Sequence, residues 1–242
     1  MEYLYIEADE DHVSLQFREK KGDLGRNENN RKNNCLLTKL VYVHEGIENE
    51  APKSRRHRLI NPHYFCGTGY GEDNNAFWDG IYEYIDNHYE LDKVKKIYLS
   101  ADGGAWIKSG MKRIAGIVYV LDEFHLEKYL TKLTSHMKDS RADALEELRM
   151  AIQKGTKKEF DEITKRLEDC LEDETGKERI AEAKEYIISN WTAAKLRLMR
   201  KDGGKRKQHG GTCKPCAFEQ NEFPPYGMEH AWSNADGEIK GL

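Results

Sequence analysis

The chain has no apolar run approaching the ~20 residues that a membrane-spanning helix needs, and its mean hydropathy of −0.86 is that of a polar, soluble protein. Its opening residues, Met1-Glu2-Tyr3-Leu4-Tyr5-Ile6-Glu7, lack a basic stretch followed by an apolar one, so no secretory leader is expected. It has little net charge. Lys and Arg number 39 against 43 Asp and Glu, leaving −4. That balance excludes a bulk polycation such as a chromatin packer, but not a local basic patch. Cysteine is sparse and odd in number, five in 242 residues, with Cys35, Cys66 and Cys170 far apart. Reduced thiols in a cytoplasmic location are expected rather than a disulfide framework. No internal repeat is present, and the length suits one large domain or two small ones.

What the chain does carry changes along its length. Residues 3–8 form an apolar, aromatic-rich run that ends in Asp9-Glu10-Asp11. Residues 13–17 alternate apolar and polar as a half-buried strand does. The charged, Asn-rich stretch 18–34 reads as a long exposed hairpin loop, and 36–44 (LLTKLVYVH) as a third strand. Between 74 and 88, Phe77, Trp78, Ile81, Tyr84, Ile85 and His88 recur at helical spacing and predict an amphipathic helix. Residues 96–100 (KIYLS) predict a strand closed by Ala101-Asp102-Gly103-Gly104, and 114–121 (IAGIVYVL) another closed by Asp122. The expected order is a three-strand meander, a helix, a strand, a short helical link, a strand and a helix: a mixed α/β unit. From 126 to about 199 the pattern is almost purely helical, with Gly155 and Gly176 as punctuation. Three or four helices are expected there, their interleaved charges forming a solvated face. Lys201-Asp202-Gly203-Gly204 then opens a tail rich in Gly, Pro and Asn with no periodicity, the composition of a low-order segment.

Three acids sit where strands run out: Asp9, Asp102 and Asp122. Ligand chemistry in an open sheet gathers at the ends of adjacent strands. If the first and fourth strands lie side by side, carboxylates leaving them meet, and hard oxygen donors suit Mg²⁺ or Mn²⁺. Ions so held can activate a water or a 3′-hydroxyl and stabilise the leaving oxygen of a phosphodiester. Acids also cap strand ends and start turns with no metal present. His125 lies three residues after Asp122, on one face of a helix beginning there. The pair can orient substrate or water, or be a helix cap beside a semi-buried histidine. Lys53-Ser54-Arg55-Arg56-His57-Arg58 is the densest basic cluster of the first half. Such a cluster binds phosphates without sequence preference, or forms a solvated loop. Cys213-Lys214-Pro215-Cys216 with His209 suggests a zinc ribbon, but a structural zinc site needs four ligands and no second CxxC exists.

Three segments together resemble the ISLre-type insertion-sequence transposases, also catalogued under a numbered uncharacterised heading. They are Tyr5-Ile6-Glu7-Ala8-Asp9-Glu10-Asp11-His12-Val13, Ile97-Tyr98-Leu99-Ser100-Ala101-Asp102-Gly103-Gly104-Ala105-Trp106-Ile107-Lys108 and Leu121-Asp122-Glu123-Phe124-His125-Leu126-Glu127-Lys128. The similarity covers about residues 2–195. It implies a DDE-type enzyme with an RNase H-like core and an all-helical insertion before the last acid. Asp9 and Asp102 match its first two metal-binding acids, with Asp11 as the alternative for the first, and Asp122 and His125 match its D-x-x-H element. The resemblance also implies Mg²⁺ or Mn²⁺ as cofactor and transposon-end DNA as partner, contacted through Lys53, Arg55, Arg56 and Arg58. Intact transposase subunits are a further implied partner, and no membrane is implied. The domains implied are the first part of an RNase H-like core at 1–125, a helical insertion at 126–199 and a low-order tail at 200–242.

The sequence departs from the family in two ways. It starts at the first catalytic strand, without the family's upstream region, and it lacks an STEGHVSHV-like motif carrying the third acid. That motif is recoverable from the genetic code. With the frame moved forward one nucleotide, the codons permitted by His209 to Cys216 include Thr-Glu-Gly-His-Val-Ser-His-Val. Met228 followed by Glu229 then forces a tryptophan codon, as the family's PMGWS requires. A frameshift between roughly 195 and 205 is inferred, which makes the tail out-of-frame and its CxxC an accident. The expectation is a transposase fragment of little or no activity, because losing one carboxylate from a two-metal site costs orders of magnitude in rate. The alternative is a non-catalytic remnant that binds DNA or inhibits intact transposase.

Overall fold

A computed structural model describes residues 2–14, 35–54, 56–68 and 73–205. These fall into two compact units that divide between Val118 and Tyr119.

The first unit is built on a mixed sheet with strand order β5-β2-β1-β6-β7. β1 (Tyr3–Ser14) pairs antiparallel with β2 (Cys35–His44), which pairs antiparallel with β5 (His63–Thr68). β6 (Lys96–Ala101) runs parallel to β1, and β7 (Ile117–Leu121) closes the order. β3 (Ile47–Asn49) and β4 (His57–Leu59) form a separate hairpin whose Leu59 packs on Leu40, Tyr42 and Tyr64. Because β1 is central, both of its faces are covered: Leu4, Ile6 and Ala8 on one, Tyr5 and Glu7 on the other.

The expected mixed α/β class is present, with differences in detail. The acids at 9–11 predict an end to the first strand after Ala8, yet β1 continues to Ser14. The ladder carries it: Asp9 faces Leu40, Glu10 faces Lys39 and Asp11 faces Thr38 across the pair. Residues 36–44 therefore belong to the second strand of the meander, and β5 is the third. Residues 15–34, which hold the expected hairpin loop and most of the 13–17 strand, lie outside the described residues.

Helical periodicity at 74–88 becomes α1 (Asp73–His88), which buries Trp78, Ile81 and Ile85. A 3₁₀ turn, Leu91–Lys93, precedes β6, and α2 (Ala105–Met111) is the short helical link. Gly110 lets the two helices meet. A Cβ there would lie 2.1 Å from the Trp78 ring, closer than any real contact. The next strand begins at Ile117 rather than at residue 114, because Gly116, at φ +74°, lies in a turn that extended backbone excludes.

Among the described residues the second unit contains five helices rather than three or four: α3 (Glu123–Thr134), α4 (Arg141–Lys154), α5 (Lys157–Asp169), α6 (Glu174–Ser189) and α7 (Trp191–Lys205). Gly176 is not a break but lies in the first turn of α6. The break precedes it, and the Asp173 carboxylate caps the helix by accepting the Gly176 N–H at 2.7 Å. Thr156 and Glu159 form a reciprocal capping box at the start of α5. Asn190 ends α6, and α7 continues to Lys205, through Lys201-Asp202-Gly203-Gly204. Leu126, Leu130, Leu148, Ile152, Phe160 and Ile187 make the centre of one apolar core. Among the described residues no helix is long and apolar enough to cross a membrane.

Candidate functional site

β1 and β6 lie side by side and parallel, with Ala8 opposite Ala101. That is the condition under which acids following these residues share one edge of the sheet. Asp102 leaves the end of β6 and folds back, its Oδ1 accepting the Gly104 N–H at 2.8 Å. Gly103, at φ +89°, makes this tight turn in a region that side-chain-bearing residues avoid. The charge of Asp102 reaches Glu10. Burial pushes its carboxyl above the ordinary value and the charge of Asp102 adds to the rise, while His12, Trp106 and Lys39 oppose it.

Asp9 is half-buried and its Oδ1 accepts the Glu10 N–H at 2.8 Å. Strand alternation puts its side chain on the face of β1 opposite that of Glu10. Asp11 is exposed and accepts the His12 N–H at 2.7 Å. Spacing alone does not distinguish the three adjacent acids. Pleat parity puts Glu10 on the face of Ala8 and Ala101 and Asp9 on the other, while the Ala8–Ala101 register brings Asp9 level with Asp102.

Lys39, the cross-strand partner of Glu10, is buried at 3% exposure. Its Nζ donates to Asn74 Oδ1 at 3.2 Å and lies 5.4 Å from the centre of the Trp106 ring. Asn74, at the start of α1, in turn donates to the Trp106 carbonyl at 3.1 Å and to Ser109 Oγ. The buried Trp106 Nε1 has no acceptor within hydrogen-bonding geometry, although the indole lies near enough to Glu10 to favour its ionised form. Trp106 lies in the same segment as Asp102, whereas Lys39 and Asn74 carry no local motif: the register of β1 on β2 joins Lys39 to Glu10, and Asn74 joins through Lys39 and Trp106. The opposite face holds a second buried polar group, in which Tyr42 Oη donates to Glu7 Oε2 at 2.7 Å and His44 Nε2 lies 3.5 Å from Glu7 Oε1.

Glu10 and Asp102 supply the hard oxygen donors that Mg²⁺ or Mn²⁺ takes. A divalent cation would relieve the like-charge tension between them. Among the described residues, no three His, Cys, Asp or Glu side chains gather round one point. Glu10 and Asp102 could contribute two oxygen ligands to such an ion, and the remaining ligands would have to come from elsewhere.

In the second unit Asp122 and His125 do come together. Asp122 caps α3, its Oδ2 accepting the His125 backbone N–H at 3.1 Å and lying 3.1 Å from His125 Nδ1. Burial alone would raise the Asp122 carboxyl. The two hydrogen bonds from His125, with the charges of Arg197 and His125, outweigh that and hold it below the ordinary value. Arg197, on α7, is 5% exposed and its Nε donates to the Leu121 carbonyl at 2.7 Å. No sequence pattern marks it, since 76 residues separate the two.

The basic cluster lies around the β3–β4 hairpin. Lys53 and Arg56 are exposed, and Arg55 lies outside the described residues. Arg58 is also exposed, but pairs with Glu48 directly across the hairpin at 2.7 Å. His209, Cys213 and Cys216 lie outside the described residues. Cys66 and Cys170 carry free thiols.

The model of an uncharacterised protein family, UPF0236, matches residues 1–216. The UPF0236 protein TTE0402 of Caldanaerobacter subterraneus subsp. tengcongensis is 40% identical over 193 residues, covering 80% of this chain and 34% of that protein. A second protein of that organism, TTE2489, is 39% identical over 193 residues, with coverage of 80% and 37%. The UPF0236 protein in the vanSb 3′ region of Streptococcus gallolyticus is 28% identical over 201 residues, with coverage of 81% and 39%. The chain thus spans little more than a third of the length of these relatives. On the breadth of the family match and the identity to its members, the chain belongs to the uncharacterised family UPF0236.

Proposed function

We propose that this chain is part of a DDE-type transposase with an RNase H-like core, and that its sheet edge contributes carboxylates for metal-dependent phosphodiester chemistry on DNA. One observation carries the reading. The first strand and β6 are parallel neighbours with Ala8 opposite Ala101, so Asp9, Glu10 and Asp102 follow on at one edge, and Glu10 senses the charge of Asp102. The antiparallel β1-β2-β5 meander, followed by α1 and a β6 parallel to β1, supports the RNase H-like assignment.

In this reading Asp102 and Glu10, with Asp9 beside them, hold the Mg²⁺ or Mn²⁺ that polarises the phosphodiester. Lys39 balances the buried negative charge, and Asn74 holds the Lys39 ammonium in place. Asp122 and His125 support the reaction by orienting water or substrate. The third acid belongs to the motif recoverable only in the shifted frame. Arg197 and Leu198 are both buried, and Leu198 belongs to the helical core, which favours a frame break after Leu198.

A non-catalytic remnant that occupies transposon ends or pairs with intact transposase is the second reading. It is favoured by the absence of a three-ligand acid cluster among the described residues. One experiment tests the DNA reading and the fragment reading together. The purified chain is mixed with a duplex carrying the sequence that flanks its gene, with Mn²⁺, across a salt series. Retention that weakens with salt, without strand transfer, fits a DNA-binding fragment of the enzyme. Robust strand transfer overturns the fragment reading, and no retention at low salt overturns the DNA reading altogether.

A further inference from the structure

β7 ends at Leu121 and α3 starts at Glu123, so the whole turn between strand and helix is Asp122. The direction of the Asp122 side chain therefore depends on how firmly the Leu121 peptide is held. Its carbonyl accepts the Arg197 Nε–H at 2.7 Å, and Arg197 is 5% exposed in a unit whose apolar core includes Leu121, Ala193, Ala194 and Leu198. A buried guanidinium carries a desolvation cost that an apolar side chain of similar size would avoid. In a core otherwise made of Leu, Ile, Ala and Phe, packing alone does not account for it. Two things the guanidinium does here are beyond any apolar side chain: it fixes the carbonyl next to the cap residue, and it puts a fixed positive charge near the Asp122 carboxylate.

We propose that Arg197 is a positioning residue for the Asp122–His125 pair, setting which ring nitrogen of His125 carries the proton. Asp122 Oδ2 lies 3.1 Å from His125 Nδ1. While the carboxylate is ionised it can only accept, so Nδ1 must be the protonated nitrogen of the neutral ring. Nε2 is then the basic one, the form of histidine that can take a proton from a water or hydroxyl. Arg197 maintains this form through the Leu121 carbonyl and through its charge. The proposal deepens the function proposed above only in what His125 does for DNA chemistry, since the arrangement of the three residues does not depend on that function.

The test is long-range ¹H–¹⁵N NMR of the histidine rings of the full chain, at a pH where His125 is neutral, with His125→Gln to assign its signals. The wild-type chain is expected to show His125 in the Nδ1–H form. Arg197→Met removes both the charge and the bond. It should lose that signature, the ring nitrogens moving to the average of both tautomers, while far-ultraviolet circular dichroism shows the helices retained. Arg197→Lys keeps a charge at the same place and should recover part of the Nδ1–H population. If Arg197→Met does not fold, Arg197→Gln serves, since its amide can still reach a carbonyl but carries no charge. A folded Met or Gln variant that keeps the full wild-type Nδ1–H signature overturns the proposal, as does an Nε2–H ring in the wild type. Failure to bind DNA would sink the transposase reading and leave these signals unmoved.

Discussion

Glu10, within β1, and Asp122, just after β7, are both partly buried acids, and their surroundings push them in opposite directions. Asp122 is satisfied by its own chain. It caps α3, pairs with His125, lies under the charge of Arg197, and is held ionised below the ordinary carboxylate value. Glu10 is raised by burial and by a second carboxylate, Asp102, against which the buried Lys39 is only a partial counterweight. A carboxylate that already has its hydrogen bonds orients a neighbour. One held beside a like charge is short of positive charge.

The largest way to break this contrast is at Gly110. In Gly110→Ala the new methyl would lie 2.1 Å from the Trp78 ring, so α1 and α2 must part and the Asn74–Trp106 wall beside Glu10 must shift. A loss of about 1–3 kcal/mol in urea unfolding is expected from overpacking, with the His125 ring signals unchanged.

Next is Asp122→Ala, which removes a cap and an ion-pair partner and should cost about 0.5–2 kcal/mol. Because the carboxyl is held below its ordinary value of 3.8, its contribution is complete above that value. It fades as pH falls through the lower, folded value. Melting curves of mutant and wild type should therefore converge in strong acid.

Glu10→Gln should act with the opposite sign. A raised carboxyl favours folding fully below its ordinary 4.5 and loses that favour as pH rises through the folded value. The amide escapes this loss, so the variant should melt slightly higher than wild type at neutral pH and equally in acid. A lower melting temperature at neutral pH would mean that Lys39 over-compensates Glu10, and the contrast would fail.

The smallest effect is expected at Arg58→Ala, where an exposed pair with Glu48 is lost. A change within about 0.5 kcal/mol is expected on thermal unfolding.

How much of this was legible in the sequence varies element by element. α1 and β6 follow from strong local patterns, an apolar stripe at helical spacing and a compact β-branched and aromatic run. The Asp122–His125 pair follows from i,i+3 geometry. The continuation of β1 through three acids has no local signal, since the cross-strand ladder to β2 sustains it. β3 and β4 are three residues each, too short for a period to register. The faces on which Asp9 and Glu10 lie follow from the parity of the pleat, which hydrophobicity leaves open when both faces are covered. Lys39 and Arg197 are placed by partners far away in the chain, and nothing around them in sequence distinguishes them from solvated cations.

The contrast between the two acids meets its most direct test in Mn²⁺ titration, followed by electron paramagnetic resonance, of the full chain and of its Asp102→Asn and Asp122→Asn variants. If the Glu10–Asp102 edge is the cation site, wild type and Asp122→Asn bind Mn²⁺ saturably and Asp102→Asn does not. Binding that survives in Asp102→Asn, or no saturable binding in the folded wild type, would contradict it.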